Sequence, residues 1–459
     1  MAEATYSVRI AWEPLPSNAF MLDGSTLNGS DLLTNQYSDS LDLLVFGISG
    51  FAEPGPTGTN PPGTDVFAGS FDALYSDVSA DVQSITIRRG RDDNLSAFQA
   101  GEATITLKDL DGEYSPLNTS SPLSPNVLPG RPVRIAATFT PSGGSATEYG
   151  EFRGFVRSIE HDPSPDARRT VIHAQDLFLH LARAKPVITN TGTITTGAAI
   201  GTVLTAIDWT DPDYRSLGTG DTINAGFSNN GEQTGLQLIE GFIETERGEA
   251  FHSRDGVFTY RDRNSRYTRT SAGTLTDVAA EAIAATDLTN IRNRARVTKT
   301  GSGTAVWTDY ASATNYGYSD FPAIDSPYIN TAAQGTALAQ WLVSQGKDPS
   351  PPVRELQFNA NRSDALMTQA LSRDLGDRIT VADSAIKGTA DFYIEGIQHT
   401  IRSGGKFHDV AFTLSRVPPA SPIVFGTSRV AGTADVFSSP TVGTAPYTTA
   451  NTAPDIFAF

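Results

Sequence analysis

From Val82 onward the chain alternates apolar and polar residues with the two-residue period of half-buried strands. The alternation predicts strands at Gln83 to Arg88, Glu102 to Lys108, Arg131 to Phe139, Glu151 to His161 and Arg169 to Ala174, separated by DGEYSP, PSGG and DPSPD turns. A similar texture returns at Arg354 to Asn359, Arg378 to Val381, Phe392 to Arg402 and Lys406 to Leu414, and a single early strand is read at Tyr6 to Trp12. Helical spacing is confined to short stretches. Thr196 to Asp208 and Thr234 to Arg247 repeat their apolar residues every three to four positions, and further helices are read at Asp176 to Ala184, Thr331 to Gln345 and Ser363 to Asp374. Arg254-Asp-Gly256 reads as a hairpin turn.

The fold class expected is mainly β with α+β insertions: two similar tube-like β-barrel or sandwich domains, a small α+β middle region and extended arms. The boundaries drawn are 1–80 for an N-terminal strand and a Gly/Pro-rich insertion arm, 81–185 for the first β-domain, 186–292 for the middle, 293–416 for the second β-domain with its helical insertion, and 417–459 for a C-terminal arm. The arms share a pattern, Phe46-Gly-Ile-Ser-Gly followed by Gly63-Thr-Asp-Val-Phe67 against Phe425-Gly-Thr-Ser-Arg followed by Gly432-Thr-Ala-Asp-Val-Phe437. Extended segments of this kind suit strand addition to a neighbouring subunit.

The two β-regions repeat each other. In LPGRPVRI, Gly130, Val133 and Ile135 stand at the same offsets as Gly376, Ile379 and Val381 in LGDRITV, and downstream FRGFVRSIEH places Gly154 where YIEGIQHTIR places Gly396. Each copy reads as a strand, a loop, a long strand whose glycine permits a bulge or a close approach, and a returning strand. One chain then supplies two units, and three chains would supply six around an axis.

Composition narrows the function classes. The 459 residues carry 41 Gly and 27 Pro, too many breakers for long helices, and no cysteine, which excludes disulfides and thiolate chemistry. The net charge of −17 repels polyphosphate and disfavours DNA binding. No signal peptide or membrane span is expected, because no window approaches the roughly 20 apolar residues a span requires. Catalytic candidates are weak. Asp109 and Asp111 with Gly112 imitate a calcium loop, but Leu107 and Asn118 stand where oxygen ligands are needed, so a hairpin turn is the better reading. Asp208, Asp211 and Asp213 could pair as glycosidase carboxylates, though capping and turn roles explain them. His161, His173, His180, His252, His399 and His408 show no metal-binding spacing. The run Arg261, Arg263, Arg266 and Arg269 is a local basic patch, read as a solvated loop; Trp209, Tyr214, Trp307 and Tyr310 would be the platform of a receptor- or carbohydrate-binding module.

The series from Asp81, DVQSITIRRGRDDNLSAFQAGEATITLKDLDGEYSPLN, then LPGRPVRI and FRGFVRSIEHD, resembles the N-terminal region of tail-hub or minor tail proteins of long, non-contractile-tailed bacteriophages. The likeness runs on through Leu236 to Arg263, Tyr316-Gly317, Ala339-Gln340-Trp341-Leu342 and the second repeat, to about Leu414. It implies a structural virion component without enzymatic activity or cofactor: a homotrimeric ring at the tail tip, assembled in the host cytoplasm. It also implies contacts with tail-tube or distal tail protein, tape-measure protein, and fibre or receptor-binding proteins, with DNA passing through an acidic lumen without specific binding. Gly130, Gly154, Gly376 and Gly396 are the expected structural positions.

Overall fold

The computed structural model describes residues 2–12 and 75–417, apart from 93–95, 163, 165–167, 221–222, 277–287, 289–290, 302, 349–354 and 384–387. The expected arms at 13–74 and 418–459, with their shared Phe-Gly pattern, lie outside the described residues.

Strands of four residues or more are numbered here in chain order. The first group is β1 (Thr5–Ile10), β2 (Val82–Gly90), β3 (Gln99–Lys108), β4 (Pro132–Phe139), β5 (Thr147–Asp162) and β6 (Arg169–Gln175). The middle contributes β7 (Glu249–His252), β8 (Phe258–Arg261), β9 (Ser271–Thr276), β10 (Arg294–Lys299) and β11 (Thr304–Thr308). The last group is β12 (Glu355–Asn359), β13 (Arg378–Asp383), β14 (Gly388–Arg402) and β15 (Phe407–Arg416). In β2 and β3 the inward positions Ile85, Ile87, Ala103, Ile105 and Leu107 are buried and polar residues alternate with them, as a period of two requires.

One twelve-stranded sheet holds both β-regions. The barrel alternative is therefore corrected: among the described residues neither unit closes into a barrel, and the two are joined in one sheet. The physical cause is β2, which bonds antiparallel to β3 on one edge and to the C-terminal half of β14 on the other, so the strand that opens the first region is shared by both. The resulting run is β12-β15-β14-β2-β3-β6-β5, with β4 on the N-terminal half of β5 and β13 on that of β14. β1 extends the first unit beside β4, and β9 lies parallel to β13.

The α-helices are α1 (Phe178–Arg183), α2 (Thr196–Ala206), α3 (Gly235–Glu246), α4 (Tyr310–Tyr316), α5 (Ala332–Gly346) and α6 (Asp364–Ser372). Of these, α1 and α6 lie against this sheet. α3 and α5 open on capping boxes, Thr234 with Gln237 and Thr331 with Gln334, in which side chain and backbone satisfy each other's free groups. A large core spans both β-units, α1 to α3 and α6; a smaller one packs α5 on β10 through Ala295, Val297, Leu338 and Leu342. Among the described residues no helix is long and apolar enough to cross a membrane.

Candidate interaction surface and its buried supports

The two four-stranded units share one register. In the first, Gly130 takes a positive φ of 88°, its N–H donates to the Val156 carbonyl at 2.7 Å, and the Val156 N–H donates to Arg131 at 2.8 Å. In the second, Gly376 has φ 77°, its N–H donates to Ile394 at 2.7 Å, and the Ile394 N–H donates to Asp377 at 2.9 Å. A bulge follows at once in both copies. Val156 faces Ala174 and Ser158 faces His173, leaving Arg157 extra; Ile394 faces Leu414 and Gly396 faces Thr413, leaving Glu395 extra. His173 in turn faces Thr104 of β3, and Thr413 faces Glu355 of β12, so β3, β4, β5 and β6 correspond to β12, β13, β14 and β15.

The second glycine pair is placed differently from the sequence alignment. With Val156 matched to Ile394, Gly154 lies two residues before the shared position and Gly396 two after it. Each is a close approach of its own kind. A Cβ on Gly154 would run into the backbone carbonyl of Gln175, while one on Gly396 would meet Thr413 Oγ1 and the Arg91 carbonyl, both at 3.1 Å. The better alignment signal was Val156-x-x-Ile159-x-His161 against Ile394-x-x-Ile397-x-His399, whose apolar and histidine positions coincide in the structure.

The bulge residue of the second unit anchors a buried ion network that the sequence reading missed. Arg266 donates from Nη1 and Nη2 to the two Glu395 oxygens at 2.7 and 2.8 Å and from Nε to Glu249 at 2.5 Å. Arg91 adds a 2.7 Å bond to Glu395, and Arg269 a 2.6 Å bond to Glu249. Asp262 positions Arg266 by capping the short helical turn that carries it, accepting from the N–H groups of Asn264 and Ser265. Burial alone would raise both carboxyls; the facing guanidiniums, Arg266 foremost, overcome it and hold Glu395 and Glu249 below the usual carboxylate range. The arginine run is therefore corrected from a solvated loop to an internal fastening of the middle region onto β14, at least through Arg266 and Arg269. At the matching bulge Arg157 is exposed.

A second buried chain joins the two units through the interior, from β1 to β15 and β14 and on to β5. Tyr6 Oη and His408 Nδ1 are 2.7 Å apart, His408 Nε2 and His399 Nδ1 2.8 Å, and His399 Nε2 approaches Glu151 at 3.4 Å. Burial pushes the Glu151 carboxyl up to about 8, against the opposing pull of Arg254 and Arg89, and pulls His408 down to about 4.

The remaining candidates sit in structural roles. Asp208 adopts φ 63° after α2, and Asp211 accepts from the Asp213 N–H at 2.9 Å, capping a turn. Trp209 and Tyr214 are buried against each other, with the indole N–H donating to the Tyr214 carbonyl at 3.2 Å, so they form no exposed platform; Trp307 packs on the smaller core, and Tyr310 is exposed. Asp109 is buried and accepts from Thr170 Oγ1 at 2.6 Å, while Asp111 is exposed on the turn. Among the described residues no group of three or more His, Asp or Glu side chains is arranged to hold a metal ion.

Neither a protein-family model nor a curated protein matches the chain. Solved structures do resemble it. A tail protein from Neisseria meningitidis is 12% identical, with 73% of this chain and 92% of that one covered at a TM-score of 0.49. A 43 kDa tail protein of prophage MuSo2 from Shewanella oneidensis is 14% identical, with 74% and 94% covered at 0.48. A component of the type VI secretion system from Escherichia coli, described as similar to T4 bacteriophage tail proteins, is 9% identical, with 73% and 74% covered at 0.38. Phage tail proteins are thus among the structures this chain resembles.

Proposed function

We propose that this protein is a structural tail-hub component of a bacteriophage, three copies of which form a ring that continues the tail tube at its tip and joins it to tip or fibre proteins. The observation that carries the reading is the in-register repeat, two four-stranded units with the same positive-φ glycine, the same bridge and the same bulge, laid side by side in one sheet. Two like units per chain turn a threefold ring into a pseudo-sixfold wall, the form an adaptor to a sixfold tube requires. The ordered motif series from Asp81 supports the same reading, and a net charge of −17 suits a channel that DNA traverses without adhering. The role is structural, without catalysis.

Electron-microscopic class averages of the purified protein, alone and mixed with its tail neighbours, test this. Rings with threefold symmetry and a pseudo-sixfold inner wall are expected; single particles in both samples overturn it.

A further inference from the structure

Comparing the two units shows two edges that have no strand partner among the described residues although their counterparts are paired. In the second unit, β14 is covered over 396–402 by β2, and beyond β2 lies β3. In the first unit the corresponding stretch of β5, Ser158 to Asp162, is bonded to β6 on one side and carries no described strand on the other. Ile159 is accordingly only half-buried, whereas its counterpart Ile397 is buried. At the opposite end of the run, β12 bonds β15 but has no described partner on its outer edge, although its counterpart β3 is paired there with β2. Open backbone edges of this kind are templates for pairing with another chain.

We propose that these two edges meet between copies: the β5 edge at Ser158 to Asp162 of one chain faces the outer β12 edge of a second copy, head to tail. The internal junction supplies the argument. It joins unlike edges, β14 to β3 across β2, so its repetition between chains joins unlike edges as well, and a contact of that class propagates around a ring rather than ending at a twofold dimer. It also supplies the pairing. Thr86 of β2 faces both Thr400 and Thr104, whose counterparts are Asp162 and Glu355. Those two residues therefore lie one strand spacing apart where the edges pair directly and two where a strand stands between them as β2 does, roughly 5–10 Å across the contact. The number of copies rests on the ring proposed above; the choice of edges does not.

The chain has no cysteine, so a designed pair is unambiguous. In the full-length Asp162→Cys/Glu355→Cys variant, a bismaleimide spanning roughly 10 Å is expected to give a covalent ladder ending at a closed trimer. A mixture of the two single variants should stop at dimers, and each alone should stay monomeric on a denaturing gel. Glu160→Cys with Glu355→Cys repeats the test if the first variant does not fold. Dimers from Asp162→Cys alone would overturn the head-to-tail contact in favour of like edges. No ladder from a double variant that native mass spectrometry shows to be trimeric would overturn the choice of edges while leaving the ring intact. A protein that stays monomeric by native mass spectrometry, alone and with its tail neighbours, would overturn both.

Discussion

Replacing Arg266 by Met tests whether the ion network holds the middle region to the sheet. The guanidinium makes three bonds to two carboxylates, Glu395 and Glu249, that are almost wholly buried. Removing one partner of a buried pair costs about 3–5 kcal/mol, because a charge is left without compensation. Here each carboxylate keeps one other arginine, Arg91 or Arg269, and Glu395 also keeps the Ser415 hydroxyl, which points to the lower end, about 3 kcal/mol. The cost should depend on pH in a definite direction. In the native protein both carboxyls lie below their unfolded value of about 4.3, so their contribution is full above that value and is lost as pH falls through the folded values. Without Arg266 the folded values rise, and the deficit should be largest near pH 7 and shrink toward pH 4. Urea midpoints at pH 4, 5.5 and 7 measure this. A deficit under about 1 kcal/mol at pH 7, or one that is the same at pH 4, would refute the reasoning. A Glu395→Gln background should recover part of the loss, since the stranded charge is then gone.

Gly130→Ala should cost about 1–2 kcal/mol from its positive φ alone, since a Cβ there meets nothing within 4 Å. Gly376→Ala should cost more, because its Cβ would stand 2.6 Å from Arg269 Nη1 and 3.0 Å from Glu249 Oε2; equal losses in denaturant melts would count against the geometry. Glu151→Gln reports on the buried histidine chain. The Glu151 value of about 8 lies above its unfolded value of about 4.3, so the neutral carboxyl stabilises fully below that lower value and the contribution is lost as pH rises through the folded one. Glutamine does not titrate, so the variant should gain stability relative to the native protein between pH 5 and 8, and a pH-independent difference would remove the argument.

Much of the β-framework was legible locally. The alternation of Ile85, Ile87, Ile105 and Leu107 with polar neighbours, and the apolar spacing of Leu238, Ile239 and Phe242, state which face must be buried whatever the partner. The helix starts at Thr234 and Thr331 were readable for the same reason, since a cap is satisfied within four residues. β10, β11 and α4 were not foreseen. Their apolar residues, such as Ala295 and Val297, are few and acquire their meaning only by packing on α5.

The repeat was visible in sequence, but its register was not. Glycines draw the eye in an alignment, yet Gly154 and Gly396 answer to different neighbours, and the shared element is a bulge defined by which carbonyl meets which N–H across the sheet. The ion network lay further out of reach. Arg91, Glu249, Arg266 and Glu395 are separated by up to 304 positions, and a charged residue in a strand or loop reads as solvated until its partners are known. Sequence by itself determined most of the strands, the starts of the longer helices, the doubled unit and the turns that require glycine, because these depend on neighbours along the chain. Only the tertiary structure decided that β2 fuses the two units into one open sheet, which charges are buried, and which edges remain unpaired, because these depend on contacts between residues far apart in the chain.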